Sequence, residues 1–291
     1  MENLRGSLLM TAAMAGFALE DMFIKQLSGT VPVGLLLILL GAGGGVIFAV
    51  LALMRGDKLV SRDLLARSVL IRNGVELIGT IGFITAIALT PLSSASAILQ
   101  ATPLVVTLGA ALFLGEQVGW RRWSAILVGF AGVLLIIRPG MQGFAPASLF
   151  AVMGVIGLAL RDLATRTVPR AISSMQLSTY AFLTLIPAGF GMLAFTGDTV
   201  RMLTPLEWVF AGAALGFGVA AYYAIVAAMR MGDVAVITTY RYSRLVFALI
   251  IGTTLFGERP DAATLTGSAL IVASGIYTFW REFRTRRIIG R

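Results

Sequence analysis

A chain of 291 residues that is 58% hydrophobic, 13% charged and has a mean hydropathy of +0.91 carries more apolar surface than one soluble core can bury, so its solvent is largely lipid. Zero Cys and zero His remove disulfide frameworks, thiolate nucleophiles and zinc or haem sites built on those ligands. The net charge of +9 does not point to nucleic acid, because the basic residues lie in short loops and a tail and form no continuous groove face.

Apolar segments long enough to span at about 1.5 Å per residue fall near 6–27, 31–54, 66–89, 92–115, 121–138, 146–166, 175–196, 205–229, 233–256 and 262–280. The first holds two acids and lacks a small-residue cleavage site, so it reads as a retained helix and not as a signal peptide. Short connectors carrying Gly, Pro or charge separate the runs, such as Arg55-Gly56-Asp57-Lys58 and Arg138-Pro139-Gly140. They leave no room for a separate soluble domain.

An even number of spans puts both termini on one side, and the cations choose which. With cytoplasmic ends, that side holds fifteen of the 23 Lys and Arg, namely Arg5, Arg55, Lys58, Arg62, Arg67, Arg121, Arg122, Arg166, Arg170, Arg230 and five in the tail. The other side holds Lys25, Arg138, Arg201 and Arg259, while Arg72, Arg161, Arg241 and Arg244 fall within proposed spans. The expected location is a bacterial-type inner membrane, crossed many times, with the bilayer itself as a partner.

The chain repeats itself. Glu20-Asp21-Met22-Phe23-Ile24-Lys25 near the end of span one is echoed by Arg161-Asp162-Leu163-Ala164-Thr165-Arg166 in span six, an offset of 141. Phe113-Leu114-Gly115-Glu116 after span four is echoed by Leu255-Phe256-Gly257-Glu258 after span nine, an offset of 142. The predicted fold is therefore an all-α integral membrane protein of ten transmembrane helices in two five-helix repeats, 1–141 and 142–291. Five is odd, so the second copy enters from the opposite face, giving an inverted-topology pair about an in-plane axis.

With these motifs in place the chain resembles the drug/metabolite transporter superfamily, EamA type, over essentially its whole length. The matching features are the ten spans, the paired Gly115-Glu116 and Gly257-Glu258, Pro103 thirteen residues before Glu116, and Gly129, Gly132, Gly267 and Gly275 in spans five and ten. One departure is Leu245, thirteen before Glu258, where relatives look to carry Pro. The stretch Tyr240-Arg241-Tyr242-Ser243-Arg244 resembles a branch that handles vitamins and nucleoside-like cofactors, riboflavin and S-adenosylmethionine among them. The resemblance implies a transporter of a small organic molecule, with no cofactor of its own.

Charge at mid-bilayer is costly and usually functional. Arg241 and Arg244 fall near the middle of span nine, three apart on one face, and suit a carboxylate, phosphate or polarised carbonyl in a wet cavity. Permanent pairing with acids on neighbouring helices is the alternative. Tyr240 and Tyr242 flank them, and Tyr222 and Tyr223 on span eight offer further rings for an aromatic substrate, unless they serve packing alone. Arg72 and Glu76 in span three are four apart, so they either neutralise each other or Glu76 faces the arginines of span nine. Glu20 and Asp21, with Arg161 and Asp162 at mirrored depth, are candidates for coupling or gating, each cluster closing one end. Asp21–Lys25 and Asp162–Arg166 pairs snorkelling to headgroups are the simpler reading. A proton-coupled cycle needs a titrating carboxyl, for which Asp21 and Glu76 are preferred.

Glycines at 41, 43, 44 and 45 in span two and at 212, 216 and 218 in span eight include GxxxG spacings and predict packing or sliding surfaces. No GxxxxGK[ST], HExxH or GxSxG motif is present, which argues against ATP-driven transport by this chain and against an integral membrane enzyme. The expected activity is secondary transport of a small polar organic metabolite by alternating access, first a riboflavin-like vitamin or cofactor. An amino-acid or other metabolite exporter is the alternative. The expected partner is the small-molecule substrate and no nucleic acid, the expected metal content none, and the expected assembly a monomer or homodimer.

Overall fold

In lipid every backbone N–H and C=O must be satisfied within the chain, and helices do this segment by segment. A computed structural model describes residues 2–116, 118–169, 171–229, 231 and 234–289, without the side chains of residues 62, 234, 235 and 282–289. The helices are α1 Glu2–Ser28, α2 Val33–Met54, α3 Arg67–Leu89, α4 Leu92–Leu99, α5 Thr102–Phe113, α6 Trp120–Ile137, α7 Ser148–Thr165, α8 Ser174–Thr196, α9 Pro205–Ala228, α10 Val234–Thr239, α11 Ser243–Leu255 and α12 Ala262–Ile289. Among the described residues there is no strand, and nine helical segments are long and apolar enough to cross a membrane. Of the cations tallied above, Arg170, Arg230 and Arg291 lie outside the described residues.

Sequence signals explain several helix ends. Ser173 and Gln176 form a capping box at the start of α8, and Thr204 and Glu207 form another at α9, where Pro205 takes the first helical position. Gly115 and Gly257 both adopt left-handed backbone, with φ of 67° and 62°, and the following glutamates donate their N–H groups to the Ala110 and Gly252 carbonyls. The two copies of the Leu/Phe-Gly-Glu motif thus build one and the same turn.

The ninth expected span does not appear as a continuous helix. It divides into α10 and α11 around a 3-10 turn at Tyr240–Tyr242. Its repeat counterpart divides at the same place, α4 ending at Leu99 and α5 starting at Thr102. Pro103 has no N–H for the Leu99 carbonyl, and the Thr102 hydroxyl donates to that carbonyl instead at 2.6 Å. The second break forms without proline, at Leu245's end of the repeat, and Ser243 Oγ donates to the Tyr240 carbonyl at 2.7 Å. The two breaks meet: Gln100 Nε2 donates to the Arg241 carbonyl at 3.2 Å, and these residues are 141 apart.

Packing follows the duplication. The main partners are α2 with α8, α3 with α7, α1 with α9 and α6 with α12, and α4 lies against α11. Exchanging the two halves maps the first four of these pairs onto themselves. Close approach is made at glycines: a Cβ on Gly34 would lie 2.7 Å from the Gly189 carbonyl oxygen, and one on Gly132 would lie 2.7 Å from that of Gly267. Gly41, Gly44 and Gly45 pack on Phe182, Leu183 and Leu185 of α8, as the GxxxG spacing predicts for span two. In α9 the expectation fails for Gly212 and Gly216, which border open space, whereas Gly218 touches Glu20.

Candidate substrate cavity

The helix pairs leave a cavity of about 430 Å³ between the two repeats, with walls from α1, α2, α3, α4, α7, α8, α9 and α11. Apolar rings form much of the lining. Phe48 stacks on Phe182 with centroids 5.3 Å apart and meets Tyr222 edge-on at 5.1 Å, and all three face the cavity. Phe17 and Phe83 face it from α1 and α3.

Seven ionisable side chains share this space: Glu20, Asp21, Arg72, Glu76, Arg161, Asp162 and Arg244. Asp21, only 2% exposed, holds Arg244 through both carboxylate oxygens, at 2.7 and 2.8 Å from Nη2 and 3.0 Å from Nε. The Arg244 guanidinium also lies 5.2 Å from the Phe17 ring centre and 5.4 Å from that of Phe83. Planar, two-point carboxylate binding and ring stacking are what guanidinium geometry favours over an ammonium. Opposite, Glu76 stands between two arginines. Arg72 Nη1 lies 2.5 Å from Glu76 Oε2 as an ion contact lacking hydrogen-bond alignment, and Arg161 Nη1 donates to Glu76 Oε1 at 3.2 Å. Arg161 continues to Asp162 at 2.8 Å. Arg72 also donates to Asn73 Oδ1 at 2.8 Å and to the Leu177 carbonyl at 3.2 Å, tying α3 to α8.

The structure therefore brings Arg72, Glu76, Tyr222, Arg244, Glu20, Asp21, Arg161 and Asp162 into one cavity and leaves four expected residues out of its lining. Tyr242 is buried against Phe279 and the face of α12 at Gly275, where its hydroxyl has no hydrogen-bond partner among the described residues. Tyr240 is 44% exposed at the break between α10 and α11. Tyr223 lies under the Arg55 guanidinium at 5.9 Å. Arg241 is exposed, and Asp162, Arg161 and Arg244 are the charges that act on it. Glu20 and Asp21 on α1 and Arg161 and Asp162 on α7 all line the same space. The i,i+4 pairs do not form: Asp21 takes Arg244 and Asp162 takes Arg161.

The ends of the cavity are held by residues that the motifs only half disclosed. Lys25 donates to the Ile87 and Thr90 carbonyls at 2.8 and 2.5 Å. Glu258 accepts from the Leu92 N–H at 2.5 Å, the Ser93 N–H at 3.0 Å and the Ser93 hydroxyl at 2.6 Å, which caps the N-terminus of α4. Their repeat counterparts, Arg166 and Glu116, pair with each other at 2.7 Å with half of each side chain exposed. Thr165 and Ser174 line the cavity on this second side. Lys25 and Glu258 carried a signal in the two echoes, but Ser93 carried none. Among the described residues no group of three His, Cys, Asp or Glu could hold a metal ion.

The profile of the EamA-like transporter family matches residues 4–138 and again 145–280, nearly all of the chain and once per repeat. The chain belongs to the EamA-like transporter family. A riboflavin transporter of Rhizobium johnstonii is 28% identical over 77% of this chain and 72% of its own length. An S-adenosylmethionine uptake transporter of Rickettsia bellii is 25% identical over 67% of this chain and 66% of its own. The pseudopaline exporter of Pseudomonas aeruginosa is 27% identical over 93% and 94%. A crystal structure 22% identical in sequence superposes with a TM-score of 0.62 over 93% of this chain and 94% of the other, which places the fold. This EamA-like protein is thus a multi-pass membrane protein of a transporter family whose relatives named here are bacterial.

Proposed function

We propose that this EamA-like protein is a secondary transporter with ten spans in two inverted five-helix repeats, both termini cytoplasmic, moving a ring-bearing polar metabolite of the riboflavin type by alternating access. The ninth span in chain order is α10 with α11, divided by a break that matches that between α4 and α5, and it brings the nine long helical segments to ten. The observation that carries the reading is a cavity walled by both repeats, together with the contrast between Lys25 and Glu258, which tie helix ends together, and their counterparts Arg166 and Glu116, which form a half-exposed pair. The excess of Lys and Arg on the side of the termini supports a cytoplasmic location for the exposed end. Rings at Phe48, Phe182 and Tyr222 suit a flat substrate, and the relatives' named substrates, riboflavin and S-adenosylmethionine, both contain one.

A second reading, export of a zwitterion such as an amino acid, is favoured by the mixture of arginines and carboxylates around the cavity. Proteoliposomes decide between them. Labelled riboflavin or S-adenosylmethionine accumulating chemically unchanged, and above empty liposomes, supports the first reading. Flux of a labelled amino acid alone supports the second. Conversion of the compound would turn the assignment towards an enzyme, and no flux of any would overturn transport of these classes.

A further inference from the structure

We infer that Glu20 is the docking point for a positive charge on the cargo, so the cavity selects ring-bearing organic cations or zwitterions over uncharged rings of the same shape. The inference rests on the transport reading and narrows its substrate class to charged, ring-bearing compounds such as S-adenosylmethionine, away from riboflavin, which is uncharged at neutral pH. Four carboxylates and three arginines line the cavity. Asp21 is taken by Arg244, Glu76 by Arg72 and Arg161, and Asp162 by Arg161. Among the described residues no hydrogen bond or ion pair holds Glu20, and the charges that act on it are Asp21, its neighbour on α1, and Arg244 on α11. Since Asp21 already pairs with Arg244, no arginine lining the cavity is left to partner Glu20.

The position is built. A Cβ on Gly218 of α9 would lie 2.6 Å from Glu20 Oε1 and 3.0 Å from Oε2, so the missing side chain is what gives the carboxylate room. Tyr222, one turn further along α9, brings its ring to the same cavity, and Arg72, Glu76, Arg161 and Asp162 face it from α3 and α7. A carboxylate among apolar walls is costly until a cation meets it. Arg244 already occupies the faces of Phe17 and Phe83, which leaves Phe48, Phe182 and Tyr222 to stack on the cargo's ring and share its charge.

The test uses two probes of one shape, cationic 1-methylnicotinamide and uncharged nicotinamide, added to the full-length protein in lipid nanodiscs while its melting temperature is recorded. The cation raises the melting temperature and the neutral ring at equal concentration does not, since only a bound ligand stabilises. Glu20→Gln weakens the cation's effect at least about tenfold, the scale of a lost charge-assisted contact. Gly218→Ala does likewise by displacing the carboxylate, and Glu20→Asp keeps the preference for the cation. Equal shifts with both probes, no shift with the cation, or an unchanged preference in Glu20→Gln would each overturn the inference. Flux in proteoliposomes together with a charge-blind shift sinks this inference alone. A cation-selective shift lost in Glu20→Gln, without flux, sinks the transport reading alone.

Discussion

The two ends of the cavity are built from the same repeated residues and stand in different states. At one end Lys25 holds two carbonyls at the C-terminus of α3 and Glu258 caps α4, so α1, α3, α4 and the turn after α11 are pinned together. At the other, Arg166 and Glu116, the residues at the same places in the other repeat, form a single ion pair among the described residues and are half in solvent. Identical motifs therefore do not imply identical contacts: in the reading proposed above the repeat supplies a latch at both ends, and one of them is closed. A protein that alternates would exchange the two arrangements, Glu116 taking up the capping role while Glu258 turned to Lys25.

The largest effect expected from testing this comparison comes from the pair that joins the repeats at mid-depth. Arg244→Leu leaves Asp21 buried without its partner, and breaking such a pair costs about 3–5 kcal/mol, whereas removing both charges together is far milder. A lowered melting temperature for Arg244→Leu, largely restored in Asp21→Asn with Arg244→Leu, is the expected result. Equal losses in the single and double variants would show that Arg244 does not hold Asp21. The latch comes next. Glu258→Gln takes the charge from three hydrogen bonds at the closed end and should cost about 1–3 kcal/mol, while Glu116→Gln disturbs an exposed pair worth about 0–1 kcal/mol. Spin labels across each end, read as distance distributions, should widen at the Lys25 end in Glu258→Gln and stay unchanged at the Arg166 end in Glu116→Gln. Equal responses at both ends would erase the asymmetry.

The fold was legible because hydropathy, connectors and the two echoes are properties of the chain itself, and glycines at 41, 44 and 45 marked α2 as a packing surface, though not that α8 fills it. Pairings were not. Asp21 lies four residues from Lys25 in the chain but 223 from Arg244, and only the meeting of α1 with α11 makes the distant guanidinium the nearer one. Tyr242 shows the same limit from the other side. Its place beside two arginines suggested a cavity wall, yet the 3-10 turn between α10 and α11 rotates it onto Gly275, whose lack of a side chain accommodates the ring. The turn itself had a warning only in the first repeat, where Pro103 marks it, and Leu245 hid its counterpart.

The smallest expected effect sharpens the comparison at the helices that close each repeat. Asp261 caps α12 by accepting the Thr264 N–H at 2.9 Å and also pairs with Arg138, whereas Gly119, its counterpart before α6, caps with no side chain. Hydrogen bonds from Arg138, then from Thr264, hold the Asp261 carboxyl well below the usual carboxylate range. A lowered value in the folded state means stability that is present above the unfolded value near 3.9 and is lost as pH falls through the folded one. With half of its side chain in solvent, Asp261 contributes little of this, and salt reduces it further. Asp261→Asn should therefore lower the melting temperature slightly at neutral pH and leave it unchanged at acid pH, where the wild-type group has taken up its proton. A difference that grows on acidification would reverse the sign and place the stabilising contact elsewhere in the α6–α12 pair.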